Sequence, residues 1–282
     1  DKVDYHASVS GQLSSSYNLY YGGRTVYDVA ENQQGVAERG HTDFGSWTTQ
    51  HHFSYNNSWN KHHLNAVAGA SWYYYVTSND RAGAEGFFDD FFQYNNLGTG
   101  TTPRIPSSGK TENQLNSYFT RANYNFDDRY LLGASFRVDG SSRFGDNNKY
   151  GYFPSFSAAW RISQESFFKN MNTRIDDLKL RASYGIVGNA EIGDYVTLNR
   201  YNNGQAVFNN NYESAVTLAA LGNPDLRWEK AKQLDIGLDI TLFNGRLLLT
   251  TDVYNKRNDD LLYLRKLPVT TGYANVFDNI GS

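Results

Sequence analysis

Strict two-residue alternation of apolar and polar side chains runs through most of this chain, and helical spacing is nearly absent. Along Val3 to Leu13 one face carries Val3, Tyr5, Ala7, Val9 and Leu13, and the other carries Asp4, His6, Ser8, Ser10 and Gln12. From Trp47 to Trp59, the rings Trp47, Phe53, Tyr55 and Trp59 oppose Gln50, His52, Ser54, Asn56 and Ser58. Leu64 to Tyr74 and Tyr118 to Phe126 continue the pattern. Tyr130, Leu132, Ala134, Phe136 and Val138 then stand against Gly133, Ser135, Arg137 and Asp139. The same dyad recurs over Phe156–Ile162, Leu178–Ile186, Leu234–Leu242 and Leu247–Val253. The pattern predicts an all-β protein with about nine antiparallel strands.

Two architectures satisfy such a pattern. In a soluble sandwich the apolar face is the core. In a transmembrane β-barrel it faces lipid and the polar face lines the lumen. The connections alternate in length. Asn60-Lys61, Asp127-Asp128 and Asn244-Gly245 are short, and a slightly longer one, 165–176, has room for one helical turn around Phe167-Phe168. The stretches 14–44, 78–113, 140–150, 188–226 and 258 onward read as long loops. Short turns on one side and long loops on the other are the habit of outer-membrane barrels. Tyr55, Phe126, Tyr130 and Trp160 fall near the short-turn edge, and Trp47, Trp72, Tyr74, Tyr118, Tyr152 and Tyr184 near the other, as interfacial rings do. The apolar stretches reach about 9–11 residues, the length a tilted strand needs to cross hydrocarbon.

His51 breaks the pattern on the apolar face. Lys230 and Lys232 share the parity of Leu234 and are expected beyond the hydrocarbon, beside lipopolysaccharide phosphates. An odd strand count does not close a bacterial barrel, and an open sheet leaves unpaired edges in lipid. The expected fold is therefore an incomplete segment of a larger antiparallel transmembrane β-barrel. Trp160, Leu132 and Leu238 are expected on its outer wall; a dry interior for all three would favour the sandwich.

Composition removes other classes. The net charge of -3 argues against a nucleic-acid partner, and the absence of Cys removes disulfides, thiolate metal sites and Cys nucleophiles. Aromatic residues make up 16% of the chain, unlike a disordered one. No apolar run approaches the ~18 residues of a spanning helix. The chain starts at Asp1 and ends on a loop-like Asn279-Ile280-Gly281-Ser282, which suggests a piece of a longer polypeptide.

Five segments carry a family resemblance: "DRYLL" (128–132), "RVDGSSRFG" (137–145), "FPSFSAAWRIS" (153–163), "LKLRASYG" (178–185) and "NPDLRWE" (223–229). In this order and spacing they resemble the barrel of SusC/RagA-type TonB-dependent outer-membrane transporters of the Bacteroidetes. Motifs carry the resemblance over 111–282, and pattern carries it over 1–110. It implies that residues 1–282 form one partial TonB-dependent receptor barrel domain. The plug, the signal peptide and the C-terminal strands of a barrel of about 22 strands would lie outside this chain. It also implies energised import of a bulky nutrient, an oligosaccharide or peptide, in the outer membrane. The implied partners are a SusD-like surface lipoprotein acting as lid, and TonB acting through the missing N-terminal part. The alternative reading is a soluble carbohydrate-binding β-sandwich module.

The candidate substrate site is the loop Phe87-Phe88-Asp89-Asp90-Phe91-Phe92-Gln93-Tyr94. Rings beside carboxylates suit sugar faces and hydroxyls; packing of the loop on itself or on the lid is the bland reading. Tyr73 and Tyr75 join it from the inward face, with Tyr201, Tyr212 and Tyr254 behind them. His51-His52 and His62-His63 do not chelate as doublets, because neighbours on a strand point to opposite faces. Only a turn at Asn57-Ser58 would set His52 opposite His63. Asp139 to Asn148 is oxygen-rich but lacks the closing Glu of a calcium loop, and reads as a tight connection. No nucleophile elbow appears, and Asp259-Asp260 sits in a loop, so neither catalysis nor a cofactor is expected. The inward charges Arg137, Asp139, Lys179, Arg181, Asp235, Asp239 and Asp252 are expected to pair with wall or plug neighbours.

Overall fold

A computed structural model describes residues 2–28, 33–171, 174–209 and 211–281. Nine strands form one sheet: β1 (Val3–Asp28), β2 (Gln33–Trp59), β3 (His62–Phe87), β4 (Gly100–Phe126), β5 (Tyr130–Ser141), β6 (Tyr150–Arg161), β7 (Ile175–Asn189), and, beyond two strands described next, β10 (Glu229–Leu242) and β11 (Leu247–Asp259). β8 (Arg200–Phe208) pairs with β9 (Asn211–Ala220), and β12 (Leu261–Lys266) with β13 (Asn275–Ile280), as separate two-stranded sheets. The nine segments with dyad alternation are the nine strands of the main sheet.

The register explains why the alternation matters. Tyr124, Leu132, Ala158, Ala182, Ile236 and Val253 are successive cross-strand partners from β4 to β11. One residue along, Asn123, Gly133, Ser157, Ser183, Asp235 and Tyr254 form the adjacent row. Apolar and polar rows therefore alternate across the whole sheet. A one-residue slip of any strand would exchange its faces, so the pattern specifies the register strongly.

The apolar rows are not a dry core. Leu132 is 52% and Trp160 36% exposed, Phe156 and Ile236 are also exposed, and Leu238 is half-buried. This is the expected outer wall, and it excludes the sandwich, in which these faces would meet.

The connections differ from expectation. β1 and β2 extend so far that the stretch 14–44 is mostly strand, and β3 and β4 do the same for 78–113. The stretch 188–226 holds the β8–β9 hairpin, and the region after 258 holds β12–β13. The polar sequences of these segments show no dyad and so resemble loops. A strand wetted on both faces needs none, since its cross-strand hydrogen bonds come from the main chain. β1 to β4 run 26 or 27 residues, far beyond the ~9–11 that cross hydrocarbon.

The short turns follow the sequence. Asn60 (φ 50°), Asp127 (φ 55°) and Asp128 (φ 53°) take the left-handed conformation that Asn and Asp tolerate. The helical turn around Phe167-Phe168 is present as α1 (Ser166–Lys169). Rings gather at this end. Trp59 stacks on His62 at 5.4 Å, and His62 Nδ1 lies 2.6 Å from the Tyr124 hydroxyl. Tyr130 OH and Trp160 Nε1 both donate to Glu165, at 2.6 and 3.1 Å. The bond from Tyr130, helped by that from Trp160, holds the Glu165 carboxyl below the usual carboxylate range.

By contacts the chain forms two compact units. The first comprises Asp1–Ser8, Thr49–Trp72 and Gln114–Ser282; the second comprises Val9–Thr48 and Tyr73–Asn113. The buried cluster of the first unit is Phe144, Phe153, Ile192, Val196, Leu226 and Trp228. It joins the "RVDGSSRFG" and "NPDLRWE" segments: Phe144 and Trp228 rings lie 5.1 Å apart, and Trp228 Nε1 donates to Lys149 O at 3.0 Å. Gly145 is needed there, because a Cβ would fall 2.0 Å from the Pro224 carbonyl oxygen. The second unit has a smaller cluster of Ala37, Ala84 and Phe87.

Truncating Trp228 leaves a cavity and removes one of the two hydrogen bonds to the Lys149 carbonyl, which keeps only that from the Ser141 amide at 3.0 Å. Trp228→Ala is expected to destabilise the full-length protein by about 3–5 kcal/mol, read as a lower denaturant midpoint for the folded band on a gel.

Candidate substrate site

The structure divides the aromatic loop into anchors and tip. Gly86 (φ 70°) turns the chain as β3 ends. Phe87 is buried against Ala37 and Ala84, with Tyr21, Tyr94 and Leu97 packed around them. Tyr21 meets Phe87 edge-on at 5.9 Å. Asp90 accepts from the Tyr21 hydroxyl at 2.5 Å and from the Arg24 amide at 3.1 Å. Asp89 Oδ1 accepts from the Phe91 amide at 2.9 Å and so closes the turn. Phe87, Asp90 and Tyr94 thus hold the loop, as the bland reading expected.

The remaining rings point outward. Phe88 is 78% and Phe91 82% exposed, and Phe92 is exposed and edge-on to Phe91 at 5.0 Å. Tyr73 and Tyr75 are half-buried neighbours 6.0 Å apart on β3, and Phe44 lies 6.2 Å from Tyr75. Tyr201 and Tyr254 are exposed elsewhere, and the Tyr212 side chain lies outside the described residues.

Six of the seven inward charges pair with wall neighbours, and Asp235 instead lines a concavity. Arg181 donates to both oxygens of Asp239 at 2.9 Å and to Asp252 at 2.9 Å, and Lys179 reaches Asp239 at 3.1 Å. Arg137 holds Asp139 at 2.7 Å and Ser117 at 2.8 Å. Beside them is a concavity of about 600 Å³ whose lining includes Asn56, Asn65, Asn123, Ser157 and Asp235.

The awkward residues find partners. His51, on the apolar face, has Nδ1 2.6 Å from the Tyr5 hydroxyl and Nε2 2.9 Å from Thr49 Oγ1. Both ring nitrogens are thereby satisfied where water is scarce. Lys232 is paired with Asp259 at 2.7 Å. The β2–β3 turn is at Asn60-Lys61, so His63 faces Ser58 (2.7 Å) while His52 stacks on His6 at 4.8 Å. In the Asp139–Asn148 segment, Asp146 binds Lys149 at 2.5 Å and Asn148 donates to Asp225 O at 3.1 Å. These ligand-like groups serve the fold.

Comparison with known proteins now decides the family. The model for the TonB dependent receptor-like β-barrel matches residues 2–282. This chain belongs to that family. TonB-dependent receptor P3 of Formosa agariphila is 39% identical over 233 residues, covering 83% of this chain and 23% of that receptor. TonB-dependent receptor SusC of Bacteroides thetaiotaomicron is 42% identical over 180 residues, 61% of this chain and 18% of its own length. The RagAB peptide transporter structure superposes with a TM-score of 0.85 at 27% identity, covering 99% of this chain and 30% of that one. The SusC/RagA resemblance is borne out, and the chain spans less than a third of each of these relatives.

The loop anchor carries its own pH dependence. Burial, then the hydrogen bond and charge of Asp90, push the Tyr21 phenol up to about 12. The Tyr21 bond, with that from the Arg24 amide, holds Asp90 below the usual carboxylate range. The carboxylate contribution is present above pH ~4 and is lost as pH falls through the lowered Asp90 value. The phenol contribution is present below pH ~10 and is lost as pH rises toward the raised Tyr21 value. Asp90→Ala is expected to bring the Tyr21 titration part of the way back toward pH 10, burial remaining, as read from labelled tyrosine resonances with Tyr21→Phe for assignment. Chymotryptic cleavage after Phe88 and Phe91 should rise several-fold in the same variant.

Proposed function

We propose that this chain forms part of the wall and extracellular loops of an outer-membrane importer energised by TonB, which carries a bulky nutrient, an oligosaccharide or peptide, beneath a SusD-like lipoprotein lid. The observation that supports this most is the sorting of the sheet. A row of apolar side chains, exposed except for the half-buried Tyr124, crosses six strands beside a row of polar ones. An apolar surface that large is stable against hydrocarbon and not against water. Family membership supports the rest: relatives are named TonB-dependent receptors and SusC, and a structural neighbour is a peptide transporter.

In this reading Lys230 faces the phosphates of lipopolysaccharide, and the missing part of the protein supplies the contact with TonB. Phe88, Phe91 and Phe92, with Asp89, form the tip that meets substrate at the mouth, while Tyr73 and Tyr75 contribute from the lumen side.

The test uses the full-length transporter in its own cell. Uptake of its nutrient should stop when TonB is deleted or the proton gradient is collapsed. Replacing Phe88, Phe91 and Phe92 together by Ser should lower uptake about ten-fold, equivalent to ~1.4 kcal/mol, with the amount of folded barrel unchanged. Uptake that persists without TonB would refute the import reading.

A further inference from the structure

In the second unit, β1, β2 and β3 enclose a concavity of about 360 Å³. Its wall includes Gly40, and that glycine is informative. A Cβ there would meet Asn18 Cβ and the Asp80 carbonyl at 3.7 Å, which are ordinary contacts. Gly40 is also not among the residues of positive φ. Neither packing nor backbone conformation requires glycine. The missing side chain keeps the concavity deep, and a strand glycine of this kind marks a place where something approaches the backbone closely.

The rim combines neutral polar groups with charged ones. Asn18, Tyr20, Thr42 and Asn79 present amides and hydroxyls, none of which makes a side-chain hydrogen bond among the described residues. The charged groups face one another. Glu38 accepts from Arg81 and from Arg104, the latter at 2.6 Å, and Asp80 has His41 Nδ1 at 3.6 Å. The Arg81 bond, opposed by burial and reinforced by Arg104, holds the Glu38 carboxyl below the usual carboxylate range. Along β3, alternation places Tyr73 and Tyr75 on the face of Asn79 and Arg81. Tyr75 stands four residues, about 13 Å, from Asn79 and touches both Phe44 and Tyr73.

We propose that this concavity is a binding subsite for a neutral sugar unit of an oligosaccharide, hydrogen-bonded by Asn18, Tyr20, Thr42 and Asn79 and continued over the Tyr75, Phe44 and Tyr73 rings. The subsite rests on the import reading and narrows its substrate class. Sugar hydroxyls both donate and accept, as these amides and hydroxyls do. An extended peptide is held chiefly through its main chain at a strand edge, and these groups are side chains on a sheet face. A site built to bond hydroxyls also rejects ligands that lack them.

The test incubates purified full-length transporter with partial hydrolysates of starch, xylan and mannan, an alginate hydrolysate and a tryptic digest of casein. Retained material is identified by mass spectrometry. Neutral oligosaccharide should be retained. Gly40→Leu fills the concavity, and should cut retention at least about ten-fold while the folded band is unchanged. Asn18→Ala with Asn79→Ala should do the same. Retention of peptide or alginate in place of neutral sugar, retention of nothing, or wild-type retention by both variants would each overturn the proposal. TonB-dependent uptake measured in parallel separates the two readings. Energised uptake untouched by the variants removes the subsite alone, whereas sugar retention without energised uptake removes the import reading alone.

Discussion

A polypeptide in hydrocarbon must pair every main-chain N–H and C=O within itself, and a sheet does this through its ladder. In this chain the ladder also fixes which side chains share a row. Tyr124, Leu132, Ala158, Ala182, Ile236 and Val253 line up because each strand is held in one register by its neighbours. The sorting into an apolar and a polar face follows from that register, and so do the girdle at the short turns and the charge network between Arg181, Lys179, Asp239 and Asp252.

The same ladder continues where no hydrophobic pattern exists. β1 to β4 run on for many residues with polar side chains on both faces, and there the second unit builds its small core and aromatic loop. Exposed surface of this kind stands on strands that main-chain bonds hold and side-chain burial scarcely supports.

Much of this was legible beforehand. The nine dyad strands, the turns at Asn60, Asp127 and Asn244, and the helical turn at Phe167-Phe168 were all readable, because burial period and turn chemistry are local properties. The five motifs carried the family. The extended ends of β1 to β4 and the β8–β9 and β12–β13 hairpins were not readable, since strands wetted on both sides leave no periodic trace. The aromatic loop was found, but its division was not: Phe87 and Phe88 are the same residue side by side, and only the packing of Tyr21, Ala37 and Ala84 makes one an anchor and the other a tip. The concavity beside Gly40 left no mark in the sequence either.

The sequence alone determined the class of fold, the main-sheet strands, their facing and the family, because each depends on residues close together in the chain. The tertiary structure decided which charges neutralise one another, which loop rings stay exposed, and that Asn18, Gly40 and Asn79 line a single hollow. Those outcomes depend on which strand lies beside which and in what register, and that pairing is set by contacts between residues far apart in the chain.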